Sequence, residues 1–155
     1  MDMSDLLTKF EIMELRLAYA AHFDSRDFVR FAALFTEDAV CSFGAEYGGD
    51  WVGRETITQR FIERGRIGGG PFDVIHVVTN PWITLAGADR AHGRWYLLDY
   101  LTRQKPHTGL ESRGGHDNPL LWLGLYEDDY RREDGAWKIE RVRLQFLWPK
   151  RSGDA

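Results

Sequence analysis

Cysteine is nearly absent: one residue, Cys41, stands in a chain of 155. It can make neither an intramolecular disulfide nor a cysteine-rich zinc site. No apolar run approaches the ~18 residues that a membrane-spanning helix needs. There is no surplus of positive charge, since 20 Lys and Arg face 24 Asp and Glu for a formal net charge of -4. Nucleic-acid binders carry a basic excess, so no nucleic-acid partner is expected. The opening residues Met1-Asp2-Met3-Ser4-Asp5 are acidic and lack the basic start and apolar centre of a signal peptide, which sets a cytoplasmic expectation. Nucleophilic catalysis has no support: no Gly-x-Ser-x-Gly occurs and Cys41 has no base beside it in sequence. His92, His107 and His116 lack metal-ligand spacing, so neither a metal nor another cofactor is expected. What is plentiful is apolar and aromatic surface, 43% and 14% of residues, which argues against disorder. Area scaling for this size buries about 69% of the chain's surface, enough for one domain over 1–155 without staples.

The first third reads as helices. Over 5–23, Phe10, Met13 and Leu17 form one apolar stripe and Ile12, Leu15, Tyr19 and Phe23 another, with neither Gly nor Pro between. Ser4 or Asp5 is the expected cap. Asp24-Ser25-Arg26-Asp27 breaks the pattern, and Asp27 can cap a second helix carrying Phe28, Phe31, Leu34 and Phe35, which Thr36-Glu37-Asp38 ends. A short strand over 39–43 and a polar turn over 44–50 follow. A third helix over 54–64 is then stopped by the run from Gly65 to Pro71. That glycine run lacks the strand–turn–helix setting of a dinucleotide loop.

The remainder is strand-like, over 72–85, 91–102, 120–132 and 136–148. Asp134-Gly135 closes the last two into a tight hairpin. A polar loop over 103–119 separates the middle pair, long enough to be expected at a pocket mouth. Helices first and long antiparallel strands after give an α+β fold. The expectation is a cone-shaped half-barrel, with the helices packed on the concave face of a curved, mostly antiparallel sheet.

Candidate chemistry begins at His76. Period-2 geometry sets it on one strand face with Val74, Val78 and Asn80, either toward a pocket or as a hydrogen-bonded structural histidine. Asp24 follows the apolar stretch of the first helix. A chain folded back there aims its carboxylate into the helix–sheet gap, although a capping or turn role would also explain it. A carboxylate on Nδ1–H fixes the imidazole tautomer, leaving Nε2 as the base. Tyr19 lies on an apolar stripe, either as core with its hydroxyl at the rim or as a donor to a leaving or enolising oxygen. His22 is a weaker partner for Asp24, because helical positions two apart point away from each other. Trp82, Trp95, Trp122, Trp137 and Trp148 read mostly as core or subunit contact, and some could line a pocket for a flat apolar substrate, Trp122 being the one put forward.

The order Tyr19-x4-Asp24, then "FAALFTEDAV", "WVGRETI", "HVVTN" and "YRREDGAWKIERVRL", resembles the SnoaL-like branch of the nuclear transport factor 2-like superfamily. That group includes scytalone dehydratase, hexachlorocyclohexane dehydrochlorinase and bile-acid 7α-dehydratase. The resemblance runs from about Leu6 to Phe146 and implies the same α+β cone, often as a trimer or dimer. It also implies an Asp–His dyad at Asp24 and His76. The tyrosine of the bile-acid enzyme falls on Tyr19, where the dehydrochlorinase has lysine. Relatives place a pocket arginine five residues after the tryptophan of the "DGxWK" turn, which is Val142 in this chain, between Arg141 and Arg143. Either a bulge turns one of these arginines inward, Arg141 being preferred, or the anion-stabilising role is missing.

These readings converge on a cofactor-independent lyase acting on a small hydrophobic cyclic substrate by dehydratase-type elimination. His76 is the base, Asp24 its orienter, Tyr19 the donor, and Asn80 positions the substrate. An isomerase or cyclase would use the same groups. A non-catalytic ligand-binding or accessory protein, or the small subunit of a ring-hydroxylating dioxygenase, would use the same fold.

Overall fold

The computed structural model describes residues 2–102 and 120–149, without the side chains of 66–68. The expected loop over 103–119 therefore lies outside the described residues. Helix α1 (Met3–Asp24) is capped by Asp2, not by Ser4 or Asp5: Asp2 accepts from the Asp5 backbone N–H at 2.8 Å, and the Asp5 carboxylate accepts in return from that of Asp2. Its buried face carries Ile12, Arg16, Tyr19, Ala20 and Asp24, steps of three and four that end on a carboxylate. Asp27 caps α2 (Phe28–Ala32) by accepting from the Arg30 N–H.

The second helix stops earlier than its apolar spacing predicts. Strand β1 (Phe35–Ser42) already begins at Phe35, where the Ile139 N–H donates to the Leu34 carbonyl at 2.8 Å. Phe31 and Phe35 both reach full burial across this break, so the core claims the apolar spacing without needing a continuous helix. A single 3-10 turn (Ala45–Tyr47), strand β2 (Asp50–Val52) and helix α3 (Arg54–Gly68) follow.

Four long strands follow among the described residues: β3 (Val74–Leu85), β4 (Arg90–Leu101), β5 (Leu120–Glu133) and β6 (Ala136–Trp148). The sheet order is β2-β1-β6-β5-β4-β3, antiparallel except for the parallel β1–β6 pair. Asp134 and Gly135 both take positive φ, 50° and 79°, as the two-residue primed turn at the β5–β6 corner requires. Register shifts in the β3–β4, β4–β5 and β5–β6 pairs bend the sheet, which curves without closing. Its concave face takes α1 against β3 and β6, and α3 against β1 and β2. Phe31 is the hub of the core, touching the rings of Tyr19, Phe23, Phe35 and Phe61 at centroid distances of 4.9–5.9 Å. No helix of the described residues is long and apolar enough to cross a membrane.

Gly93 on β4 shows how tightly the inner layer is filled. A Cβ there would lie 2.9 Å from both Trp95 Nε1 and Tyr130 Cε2, atoms of rigid rings joined by the Trp95 Nε1–H to Tyr130 hydroxyl hydrogen bond. Gly93→Ala is expected to cost about 1–3 kcal/mol by overpacking, measured as a lowered urea midpoint with an unchanged m-value.

Candidate active site

The two ends of the candidate dyad are tied by backbone before any side chain is considered. The Phe72 N–H donates to the Asp24 carbonyl at 2.8 Å, joining the last turn of α1 to the start of β3. Phe72 holds φ at 60° to make that join, and its own carbonyl accepts from the Thr102 hydroxyl at the end of β4. Asp24 leaves the buried face of α1 at this point and meets the strand. Its Oδ2 accepts the His76 backbone N–H at 3.0 Å, and its Oδ1 lies 2.6 Å from His76 Nδ1. A carboxylate can only accept at that contact, so the neutral ring that fits it carries its proton on Nδ1 and keeps Nε2 as the acceptor. The Phe23 ring stands edge-on to the imidazole at 4.8 Å and holds its plane.

His76 lines a cavity of about 350 Å³ between α1, α3 and the concave sheet. That is at the small end of the ~300–1,000 Å³ usual for small-molecule sites. Most of its wall is apolar or aromatic, including Phe61, Leu97, Trp122 and Phe146. Trp122 is in this wall, edge-on to Phe146 at 5.6 Å. Tyr19 is in the same wall and 3% exposed. Burial pushes its phenol well above the ordinary value, as it also pushes that of Tyr126, so both are neutral hydrogen-bond donors.

Three assigned residues are elsewhere. Asn80 is exposed, at φ 53°, with its Oδ1 accepting from the Thr79 hydroxyl at 3.0 Å. The β3–β4 register shift falls between Thr79 and Trp82, so the alternation that carries Val74, His76 and Val78 inward is broken before Asn80 is reached. Arg141 and Arg143 both face outward, 4.0 and 3.0 Å from Asp129 on the far side of the sheet. A bulge does exist in β6, but it lies one residue earlier: Asp129 pairs with Arg141 and Tyr130 with Ile139, leaving Glu140 as the extra residue. The inward phase therefore runs Trp137, Ile139, Val142, and Val142 is fully buried. His92 belongs to the same outer cluster, 2.6 Å from Asp129. Cys41 is buried, which pushes its thiol up and away from nucleophilic reactivity.

Among the residues of the wall that sequence reasoning missed, three are charged. Asp99 is 2% exposed, with Oδ2 3.9 Å from His76 Nε2, beyond a direct hydrogen bond. Its signal was available: Trp95, Leu97, Asp99 and Leu101 are the inward positions of β4, and one of them is an acid. Arg26 and Arg64 also line the cavity, from the break after α1 and the body of α3. No local pattern separates them from the other basic residues. Among the described residues, no group of three or more His, Cys, Asp or Glu is placed to hold a metal ion.

The comparisons with known proteins agree with this architecture. The SnoaL-like domain family matches residues 4–143. A hexachlorocyclohexane dehydrochlorinase from Novosphingobium barchaimii superposes with a TM-score of 0.74 at 21% identity, over 96% of this chain and 92% of that one. A protein from Novosphingobium aromaticivorans described as a scytalone dehydratase gives 0.73 at 22%, over 92% and 86%. A cystatin-like-fold protein of unknown function from Nostoc punctiforme gives 0.72 at 21%, over 92% and 95%. At these identities the likeness establishes the fold. No curated protein sequence matches.

Proposed function

The chain belongs to the SnoaL-like domain family, whose fold carries dehydratase and dehydrochlorinase enzymes, and on that premise we propose that it is itself a lyase. The reading is a dehydratase-type elimination from a small hydrophobic cyclic molecule. The observation that carries it is the double grip of Asp24 on His76, by backbone N–H and by Nδ1, in a ring that lines the cavity; with the proton held on Nδ1, Nε2 is free to act as the base.

In this reading Nε2 takes the proton beside an activating group, the C–H pair becomes the new double bond, and the carbon–oxygen bond breaks. The imidazolium then lies between two carboxylates, Asp24 at Nδ1 and Asp99 beyond Nε2, which stabilise it electrostatically. Tyr19 donates a hydrogen bond to the departing oxygen. Its raised pKa keeps it from being the proton source. The proton held by His76 leaves with that oxygen as water, returning the ring to neutral. An isomerase would return the same proton to another carbon, and release of water separates the two outcomes.

His76→Gln is the test. Cyclic alcohols bearing an acidified C–H next to the hydroxyl-bearing carbon are incubated in deuterated water and followed by mass spectrometry for loss of water and for exchange. The variant is expected to lose about 10²–10⁴-fold in rate with its melting temperature nearly unchanged. Turnover that survives the substitution, or a fold that does not, returns His76 to a structural role.

A further inference from the structure

The cavity wall carries two arginines that the acid–base reading does not use. Asp24 and Asp99 are on the His76 side. Arg26 and Arg64 line the wall as well, from the break after α1 and from α3. The Arg26 side chain runs past Gly65 of α3, its Cδ and Nε 3.6 Å from where a Cβ there would sit, an ordinary contact distance. Arg64 is the next residue along the helix. Its guanidinium lies over the Tyr47 ring at 4.0 Å and within 5.5 Å of that of Trp51, both cavity-lining aromatics. Neighbouring arginines are taken locally, Arg60 by Glu63 and Arg30 by Asp27, whereas Arg64 meets aromatic faces and no carboxylate among the described residues. The Arg26 guanidinium lies 4.9 Å from the centre of the Phe23 ring, the same ring that stands 4.8 Å from His76. A cationic group and the base therefore flank a single aromatic ring.

We infer that the substrate is an anion, a ring-bearing carboxylic acid whose carboxylate is received by Arg64 and Arg26 while its ring carbon faces His76. Guanidinium forks match a carboxylate with two parallel N–H donors, and an aromatic shelf pre-orders the fork. The acids beside His76 repel the charged end, so the ligand enters in one orientation. This inference rests on the cavity being the substrate site and adds the substrate's charge to that reading.

The probes are 2-naphthoate and its neutral counterpart 2-naphthamide, titrated into the full chain by calorimetry and by quenching of tryptophan fluorescence. Naphthoate is expected to bind about tenfold or more tightly than the amide, with only the naphthoate affinity weakened by added salt. Arg64→Gln, at an exposed helix position, is expected to erase most of that advantage and leave the amide affinity as it was. Arg64→Lys restores part of it. Equal affinity for the two probes, no binding of naphthoate, or an advantage indifferent to Arg64→Gln overturns the inference and leaves the arginines as helix and ring packing. His76→Gln keeps the carboxylate preference, so failure here and failure of the acid–base reading show up in different measurements.

Discussion

Arg16→Met is expected to destabilise the protein by about 3–5 kcal/mol, and the same change made together with Asp128→Asn by far less. Arg16 is a cation on the buried face of α1, with its guanidinium 3.5 Å from Asp128 and both side chains fully buried. It lies between two phenol rings, 3.7 Å from the centre of Tyr126 and 4.2 Å from that of Tyr19. Asp128 in turn accepts from the Tyr130 hydroxyl at 2.8 Å. Burial, only partly offset by Arg16 and that hydroxyl, pushes the Asp128 carboxyl above its ordinary value. Burial alone would lower Arg16, and Asp128 with three tyrosines holds it raised instead. Removing the cation leaves a buried carboxylate without its ion-pair partner, which is the expensive half of any buried pair. Removing both charges strands no charge.

The sign of the pH dependence separates this account from a simple loss of packing. In Arg16→Met the folded-state pKa of Asp128 rises further above its unfolded value of about 3.9, so the folded state binds the extra proton. Stability then falls as pH rises through the raised pKa and recovers toward acid. Urea unfolding at about pH 4 and about pH 7 should show the deficit shrinking at the lower pH. A deficit under about 1 kcal/mol, or one independent of pH, would mean that the pair contributes no more than its volume. Because Tyr19 and Tyr126 line the cavity and sandwich the guanidinium, the variant should also lose ligand affinity.

How much of this was legible beforehand depends on whether a feature is carried by a repeating pattern or by a single residue. Helix α1 and the β5–β6 hairpin repeat their signal over many positions or hold it in a dipeptide that demands positive φ, and both are where the sequence puts them. The approach of Asp24 to His76 was also readable, since the first lies where the apolar face of α1 runs out and the second on an alternating strand. The positions of the bulges were not readable. Glu140 and the Asn80–Pro81 step each slip the strand by one residue, and such a slip reverses every side chain beyond it. Arg141, Arg143 and Asn80 all lie beyond or at a slip, which is why the three of them miss the cavity. Asp99 lies on β4 at an inward position that plain alternation identifies.

The sharpest consequence of the site geometry is that Asp24→Asn should impair catalysis more than Asp24→Ala, while the order of stability is reversed. The His76 backbone N–H donates to one Asp24 oxygen at 3.0 Å, and an asparagine keeps that bond only by placing its carbonyl oxygen there. Its NH₂ group then faces Nδ1 at the position where the carboxylate oxygen stands 2.6 Å away. A donor at that place requires Nδ1 to accept, which moves the ring proton to Nε2 and removes the lone pair from the cavity. Flipping the amide corrects the ring but sets two donors against each other at the backbone. The amide is therefore locked into the wrong tautomer, a defect that costs about 10⁴-fold where a carboxylate–histidine pair has been altered this way in serine proteases. Alanine imposes no tautomer, so Nε2 remains available in part of the population, but it leaves a shielded backbone N–H without a partner at about 1–3 kcal/mol. Rates of deuterium exchange and melting temperatures for the two variants should thus rank in opposite orders, and nitrogen chemical shifts of His76 should show the proton on Nε2 in Asp24→Asn. Near-normal activity in Asp24→Asn would mean that the carboxylate serves the fold at the end of α1 and that the base lies elsewhere.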